Sequence, residues 1–312
     1  MFTFERNKVT QRMIDVPGTK HRLPVTVIAG EAEGKTVLVS AGVHCREYVG
    51  TEALIRLAGE LDPSVIRGTV YMVPLINYTG FFAHANDEIP EDGRNLNHSL
   101  PGDPEGSVTD VLADYICREV LADVDYVIDL HSGGSYEDLT PHAYFSKVAD
   151  EAVMKDSIEL SAYADMPYTV GMTSRDGLVS WSAVQGKPCV LIERGRYSIW
   201  NEEQVQKAQA DVRNMLRFLG VLCDGTEPVR RWQKVFMNAV YDEAPVSGCW
   251  YPLKKPGEFI RKGELIGRIG DLFGKTIREI YALEDGVILY QTSSLALTEG
   301  EAMTAYGVLD KA

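Results

Sequence analysis

The sequence predicts an α/β protein with a mixed, mostly parallel sheet, helices on both faces, and a small C-terminal all-β barrel or sandwich domain. Three observations support this fold class. Apolar, β-branched runs alternate with segments of helical spacing between residues 36 and 219. Three of those runs end in, or lead into, a histidine or glutamate. After residue 222 the helical spacing gives way to short β-type segments separated by Gly, Pro and charged turns.

The N-terminal part is expected to contain edge strands followed by a strand–helix–strand unit. Arg22–Ile28 is rich in β-forming residues, and Gly30–Gly34 is polar and turn-like. Thr36–Val43 is predicted as a strand, Glu47–Leu61 as a helix and Thr69–Asn77 as the next strand. This order favours parallel strands covered by helices.

The rest of the first domain repeats this alternation after a long polar segment. Tyr78–Glu105 is rich in Asn, Asp, Gly and Pro, and a segment of that length inside a domain is usually functional or disordered. Asn201 is a plausible N-cap for the last long helix. The expected elements are helices over Gly106–Leu121, Ala149–Ala164, Ser174–Gly186 and Asn201–Leu219, and strands over Tyr126–His131, Ala143–Ser146, Tyr168–Thr173 and Cys189–Glu193.

The change from helical spacing to short β-type segments divides the chain into a catalytic domain over residues 1–222 and a β-domain over residues 223–312. The β-domain resembles a biotinyl/lipoyl carrier domain in Pro245–Trp250 and Lys254–Glu264. Asp271–Ile277 lacks the signature of a modified lysine, so Lys275 is expected to be unmodified and the domain to serve as a cover or as a contact in a homo-oligomer. The expected strands are Lys234–Val240, Gly248–Tyr251, Leu265–Ile269, Thr276–Tyr281, Gly286–Tyr290 and Ala302–Val308.

Composition excludes several classes of protein. The 312 residues are 45% hydrophobic and 24% charged, as in globular proteins. The net charge of −14 speaks against nucleic acid and anionic membranes as partners. No segment reaches the roughly eighteen apolar residues of a membrane span. Five cysteines without paired spacing, and an N-terminus without the layout of a signal peptide, predict a cytoplasmic location.

His44 and Glu47 form an H-x-x-E motif where the first long strand meets its helix. An imidazole and a carboxylate that point the same way are two of the three protein ligands of a catalytic zinc. For an isolated motif of this kind, a core histidine and a solvated glutamate are the more common outcome.

Two further strand ends favour the metal site over that more common outcome. His131 ends the strand Tyr126–His131, and Glu193 ends the strand Cys189–Glu193. Since functional groups in open α/β sheets gather outside the carboxyl ends of strands, these side chains are expected to converge with His44 and Glu47. Asp129, two residues before His131, is expected to hold an imidazole N–H.

This pattern resembles the zinc carboxypeptidase superfamily, and within it the succinylglutamate desuccinylase/aspartoacylase family. The resemblance implies that His44, Glu47 and His131 bind one Zn²⁺ per chain and that Glu193 is the general base. The motif His44-Cys45-Arg46-Glu47 is closer in sequence to the His-Ala-Arg-Glu of carboxypeptidases than to the His-Gly-Asn-Glu of desuccinylases.

The segment Asp92–Gly102 resembles the family's substrate loop, which usually ends Leu-Asn-Arg-x-Phe-Pro-Gly. The resemblance implies that Asn97 and His98 bind substrate, although His98 stands where the family has an arginine. Arg94 is expected to act catalytically by stabilising the developing oxyanion, and Arg46 to contribute positive charge to substrate binding.

These residues support three hypotheses about function. The first is a zinc-dependent deacylase that hydrolyses the amide bond of a small N-acyl amino acid. The second is a metallocarboxypeptidase, which His98 weakens because capture of a C-terminal carboxylate favours a guanidinium. The third is a metal- or ligand-binding protein without catalysis, which the complete set of ligands and base disfavours.

Overall fold

The computed structural model describes residues 3–310, so the outermost residues of the predicted N- and C-terminal ranges lie outside it. The six α-helices are α1 (Tyr48–Glu60), α2 (Tyr78–Ala83), α3 (Val108–Tyr115), α4 (Glu151–Ser161), α5 (Leu178–Val184) and α6 (Glu202–Phe218). The strands before residue 200 are β1 (Lys8–Asp15), β2 (Arg22–Ala29), β3 (Thr36–Ala41), β4 (Thr69–Val73), β5 (Glu88–Ile89), β6 (Arg94–Asn95), β7 (Tyr126–His131), β8 (Glu137–Leu139), β9 (His142–Ser146), β10 (Tyr168–Met172) and β11 (Cys189–Glu193). The later strands are β12 (Lys234–Phe236), β13 (Ala239–Glu243), β14 (Gly248–Pro252), β15 (Phe259–Ile260), β16 (Leu265–Gly270), β17 (Thr276–Tyr281), β18 (Gly286–Thr292), β19 (Ala296–Leu297) and β20 (Ala302–Val308).

Nine strands form one mixed sheet in the order β1-β2-β4-β3-β7-β11-β9-β10-β12. The pairs β4–β3, β3–β7, β7–β11, β9–β10 and β10–β12 are parallel, whereas β1–β2, β2–β4 and β11–β9 are antiparallel. The predicted fold class is therefore confirmed. The parallel centre brings the carboxyl ends of β3, β7 and β11 side by side.

Both faces of this sheet are buried, because successive side chains of a strand point to opposite faces. In β3, Val37 and Val39 join one core cluster and Leu38 joins the other. Helices α1 and α6 cover the first face, while α3 and α5 cover the second. The strands are therefore apolar along most of their length, which is the pattern from which they were predicted.

Several element boundaries differ from the sequence-based ones for local reasons. The strand predicted to reach Asn77 ends at Val73, since Pro74 has no backbone N–H to donate. The helix predicted over Gly106–Leu121 consists of α3 and a separate π-helical turn over Ile116–Val120. The predicted strand Lys234–Val240 is divided into β12, which pairs with β10, and β13, which pairs with β20.

The C-terminal strands form two antiparallel sheets around their own apolar cluster, as predicted for the β-domain. One sheet contains β13, β20, β18 and β15, and the other contains β17, β16, β14 and β19. Trp250, Ile269 and Tyr306 belong to the cluster between them. Strand β8, which follows the loop after His131, adds to the first sheet by pairing with β18. Pairings of β8 and β12 thus cross the predicted boundary at residue 222.

No helix within residues 3–310 is long and apolar enough to cross a membrane.

Candidate active site

The turn between β3 and α1 holds His44 and Glu47 together. Gly42 has a φ of +66°, and a Cβ there would lie 2.9 Å from the Leu75 side chain, so the turn requires glycine. The Glu47 amide donates to the His44 carbonyl oxygen at 3.2 Å. His44 Nδ1 lies 2.8 Å from Glu47 Oε1. The two side chains therefore meet across a turn that ends at Glu47, the N-cap of α1.

His131 at the end of β7 completes the cluster. Its Nδ1 lies 2.9 Å from Glu47 Oε2, and its Nε2 lies 2.9 Å from Asp129 Oδ2. The Ser40 hydroxyl donates to the other Asp129 oxygen at 2.7 Å. Asp129 therefore holds an imidazole N–H of His131, as predicted. A carboxylate cannot donate, so Nε2 of His131 carries a proton toward Asp129, and a metal ion would replace the proton that Nδ1 directs at Glu47.

The donor set of His44, Glu47 and His131 fits a zinc ion. One ligand atom from each residue lies within 4.8 Å of the others, and the two imidazole rings are 4.9 Å apart, edge to face. Two nitrogens and one carboxylate are the ligands of several catalytic zinc sites. These residues would hold the metal, with Asp129 behind one imidazole, an arrangement common around zinc-binding histidines.

The electrostatics of the cluster also favour a cation. Burial disfavours the charged imidazolium of His44, but the Glu47 carboxylate outweighs it and raises the pKa of His44 to about 9. Burial opposes ionisation of Glu47 as well, yet the two imidazoles lower its pKa to about 2. The cluster therefore takes up positive charge, which is the property that a metal site needs.

Glu193 lies beside the cluster at the end of β11. It is in register with His131 on the neighbouring parallel strand. Its burial and the negative charge of Glu47 hold the pKa of Glu193 well above its usual range. A carboxyl group with a raised pKa next to a candidate metal site is suited to proton transfer near neutral pH.

A cavity of about 410 Å³ opens over these residues. One wall is formed by His44, His131 and Glu193, and residues of the β-domain close part of another wall. The lining residues are His44, Asn97, His98, His131, Tyr144, Met172, Thr173, Ser174, Gly177, Val179, Ser180, Leu191, Glu193, Tyr241 and Tyr290. The structure thus places Asn97 and His98 of the predicted substrate loop in the same cavity as His44 and His131, two of the candidate metal ligands.

The two predicted loop residues differ in their surroundings. Asn97 Oδ1 accepts the Leu178 N–H at 3.1 Å, at the first residue of α5, and within residues 3–310 its NH2 group has no partner. His98 is exposed at the rim, with Nδ1 3.4 Å from Asp176 Oδ1. Asn97 is therefore held in place by its oxygen while its donors stay available.

The two predicted arginines lie in different environments. The Arg94 guanidinium contacts the Asp110 carboxylate and donates to Ser107 Oγ at 2.9 Å. Asp110 closes the capping box of α3, so Arg94 serves that helix start and does not line the cavity. The structure therefore does not bring Arg94 into the cavity with the other predicted site residues. Arg46 meets only the Asn86 side-chain oxygen, at 3.3 Å, and its buried Nε has no partner among the described residues.

Sequence reasoning missed four residues of the site. Tyr241 and Tyr290 come from β-domain strands far along the chain, and no local signal connects them with the zinc motif. Tyr144 lies on β9, and its phenol is hydrogen-bonded to that of Tyr241. Asn95 lies two residues before Asn97 in the segment Asp92–Gly102, and its Oδ1 is 3.3 Å from His44 Nε2. Its place in that segment is a signal from which it could have been predicted as a site residue.

Comparisons with known proteins identify the family of this chain. Residues 33–219 match the model of the succinylglutamate desuccinylase/aspartoacylase catalytic domain. The chain is 29% identical over 290 residues to N-alpha-acetyl-L-2,4-diaminobutyric acid deacetylase from Halomonas elongata, covering 90% of this chain and 84% of that protein.

Solved structures also resemble this chain over nearly its whole length. The product-bound ectoine utilization protein EutE (DoeB) from Ruegeria pomeroyi has a TM-score of 0.89 and 25% identity, covering 99% of this chain and 98% of that chain. A succinylglutamate desuccinylase/aspartoacylase from Rhodobacter sphaeroides has a TM-score of 0.85 and 25% identity, covering 98% and 97%. The chain belongs to the succinylglutamate desuccinylase/aspartoacylase family.

Proposed function

We propose that this protein is a cytoplasmic zinc-dependent deacylase that removes a short, uncharged acyl group, acetyl in the first instance, from the nitrogen of a small amino acid. The observation that carries the proposal is the cluster of His44, Glu47 and His131, two of which line one cavity together with Glu193. Bound at the three ligands, zinc supplies a Lewis acid and lowers the pKa of a water molecule to about 7.

Glu193 is the proposed general base. Its carboxylate accepts the proton of the attacking water and delivers that proton to the nitrogen of the leaving amine. The raised pKa of Glu193 suits the second transfer, because a carboxyl group that holds its proton too weakly is a poor source for delivery. Its position in register with His131 sets the carboxylate beside the ligands.

The lining of the cavity supports an uncharged acyl group. Among the described residues that line it, none is arginine or lysine. A succinyl or aspartoyl group would bring a carboxylate into this space, and such groups are usually bound by a bidentate guanidinium. The curated relative from Halomonas elongata is a deacetylase by name, which supports an acetyl group for this chain.

Substrate contacts are proposed for Asn97, His98 and Arg46. The free NH2 group of Asn97 can donate to a substrate carboxylate, and His98 at the rim adds a polar contact. Arg46 lies between two metal ligands in sequence and has no carboxylate partner within residues 3–310. Neither Arg46 nor Arg94 lines the cavity, but the Arg46 guanidinium is not paired with a carboxylate and stays the proposed contact for a negatively charged part of the substrate.

The decisive experiment compares metal content and hydrolysis in four proteins: wild type, Glu47→Ala, Glu193→Gln and Glu52→Ala. We expect about one zinc per chain in wild type and Glu193→Gln, and loss of zinc in Glu47→Ala. Glu52 lies on the same helix but pairs with Arg56, so its variant is the matched control. Hydrolysis of N-acetyl amino acids should fall roughly 100- to 10,000-fold in Glu193→Gln, since general bases contribute factors of that size.

Each outcome bears on a different part of the proposal. Absence of zinc from wild type, even after zinc is offered, would refute the metal site. Near-normal hydrolysis by zinc-loaded Glu193→Gln would refute the base. Faster hydrolysis of N-succinyl than of N-acetyl amino acids by the wild type would refute the proposed acyl group.

A further inference from the structure

We infer that the hydroxyl pair of Ser174 and Ser180 determines specificity by binding the carboxylate of the N-acyl amino acid without a charged side chain. The inference rests on the proposed function, because it states how that substrate is recognised. Both serines line the cavity together with Asn97. Ser174 lies in the loop after β10, and Ser180 lies in α5.

The hydroxyl pair holds one proton that has no strong acceptor. Ser174 Oγ lies 2.9 Å from Ser180 Oγ, so one of the two hydroxyl protons forms the bond between them. The only other partner of either hydroxyl among the described residues is Met172 Sδ, at 3.9 Å from Ser174 Oγ and 3.8 Å from Ser180 Oγ. Since a thioether is a weak acceptor, an oxygen atom of a bound ligand would accept the second proton more strongly.

Burial indicates which of the two serines contacts the ligand. Ser180 is 1% exposed, whereas Ser174 is half-buried. The Ser180 hydroxyl therefore donates to Ser174 Oγ, and the Ser174 hydroxyl donates into the cavity. In this arrangement Ser174 touches the substrate, and Ser180 is the positioning residue behind it.

Asn97 adds a second donor beside the serines. The Leu178 backbone N–H donates to Asn97 Oδ1 at 3.1 Å, and a backbone N–H can only donate, so the paired atom is the oxygen. The NH2 group is left without a partner within residues 3–310. A further bond joins the two segments, from the Leu100 N–H to the Asp176 carbonyl oxygen at 2.9 Å. Two adjoining segments therefore each supply a donor to the cavity.

The chemistry of these groups favours a carboxylate as their ligand. What both groups offer is a hydrogen, so they bind an acceptor and not an ammonium group. Hydrogen bonds to an ionised acceptor are stronger than those between neutral groups, so neutral donors can hold a carboxylate. A ligand without the carboxylate would leave these donors unpaired, and sites built from such donors reject it for that reason. The set fits a single carboxylate, which agrees with an acyl group that carries no charge.

The test measures, by calorimetry, the dissociation constants of an N-acetyl amino acid and of the matching N-acetylalkylamine, which lacks the carboxylate. All proteins carry Glu193→Gln, so that the ligands are not consumed. The added substitutions are Ser174→Ala, Ser174→Thr and Ser180→Ala. Ser182→Ala is the matched control, because Ser182 is buried in the same helix but donates to the Leu178 carbonyl oxygen at 2.7 Å and does not line the cavity.

We expect Ser174→Ala to bind the N-acetyl amino acid roughly 10- to 100-fold more weakly, the size of effect that a lost hydrogen bond to a charged group has. Ser180→Ala should weaken binding less, because Ser174 keeps its own proton. Ser174→Thr, which keeps the hydroxyl, and Ser182→Ala should stay close to the parent protein. Binding of the N-acetylalkylamine should not change in any of them.

Two results would overturn the inference alone. One is unchanged binding of the N-acetyl amino acid by Ser174→Ala, and the other is an equal loss of affinity for both ligands, which would indicate a purely structural role. The zinc content and hydrolysis of the wild type test the proposed function separately, since neither measurement needs a serine variant.

Discussion

His142 is a buried histidine outside the cavity that is held in its neutral form. Its Nδ1 donates to the Thr140 carbonyl oxygen at 2.8 Å, and its Nε2 is buried without a partner in the part of the chain that the structure describes. Burial lowers the pKa of His142 from its ordinary value of 6.5 to about 4, and the bond to Thr140 offsets only part of that shift. Protonation of this ring would leave a charge in the core beside Tyr144.

We predict that His142 makes the protein less stable in mild acid. The unfolded chain binds the extra proton below its pKa of 6.5, and the folded chain does so only below about 4. Between these values the unfolded state holds more protons, so the free energy of unfolding falls as pH falls, by up to about 1.4 kcal/mol per pH unit. Above the unfolded pKa, this group contributes no pH dependence.

The measurement is urea unfolding of wild type and His142→Gln at about pH 5 and pH 8. The variant should lose less stability than wild type between the two pH values. Other titrating groups are common to both proteins and cancel in the comparison. Equal losses in the two proteins would show that His142 is not the source of the acid sensitivity.

At the residue scale, prediction from sequence worked where partners are close in the chain. His44 and Glu47 are three residues apart, and Asp129 is two residues before His131, so strand and turn geometry determines their contacts. Arg94 was expected in the site, but its partner, Asp110, lies sixteen residues away at the start of α3. A lone sequence does not show that a guanidinium is already neutralised by a helix cap.

Among the elements, β11 and α6 are connected by a buried ion pair directly after Glu193. The Arg194 side chain donates to Asp211 Oδ2 from Nε at 3.0 Å and from Nη2 at 2.7 Å, and both residues are almost fully buried. The Arg194 backbone N–H donates to the His131 carbonyl oxygen at 3.1 Å. The pair therefore anchors the point where the strand ends carry Glu193 and His131, the proposed base and a candidate metal ligand.

We predict that Asp211→Ala lowers the free energy of unfolding by roughly 3–5 kcal/mol, because it leaves the Arg194 charge buried and unpaired. The double variant Arg194→Met/Asp211→Leu should recover much of this loss, since apolar side chains of similar volume need no partner. Chemical denaturation of the three proteins measures both effects.

Arg196→Met is the control for this pair. Arg196 bonds to Asp138 at 2.8 Å but is mostly exposed, so its loss should cost less than about 1 kcal/mol. If Asp211→Ala were no more destabilising than Arg196→Met, the buried pair would not anchor β11 to α6.

Hydrophobic periodicity predicted where most helices and strands lie. Several of their ends depend instead on residues that do not contribute to the periodicity. Strands β7 and β11 match the predicted ranges because their apolar runs end in the side chains of the site. Strand β4 ends early at Pro74, and the predicted strand Lys234–Val240 changes sheets between Phe236 and Ala239. No composition signal marks that change, since the choice of partner strand depends on distant parts of the chain.

At the scale of the whole molecule, the β-domain contributes directly to the cavity. Strand β8 joins its sheet after the loop that follows His131, and Tyr290 is paired with Leu139 of that strand. Tyr241 and Tyr290 then line the same cavity as His44 and His131. The sequence predicted a cover or an oligomer contact for this domain. It could not predict the tyrosines, because the pairing of β8 with β18 joins segments about 150 residues apart.

We predict that the phenol groups of Tyr241 and Tyr290 contribute to turnover and not to metal binding. Both tyrosines line the cavity with Glu193, and a lost hydrogen bond costs about 0.5–1.5 kcal/mol, or roughly 2- to 10-fold in kcat/KM. Tyr241→Phe and Tyr290→Phe should each lower kcat/KM by such a factor while zinc content stays at the wild-type level. Tyr251→Phe is the matched control, because Tyr251 is in the same domain but packs under Arg268 outside the cavity. A double variant with unchanged kcat/KM would mean that the β-domain only covers the site and that substrate contacts come from residues before 223 alone.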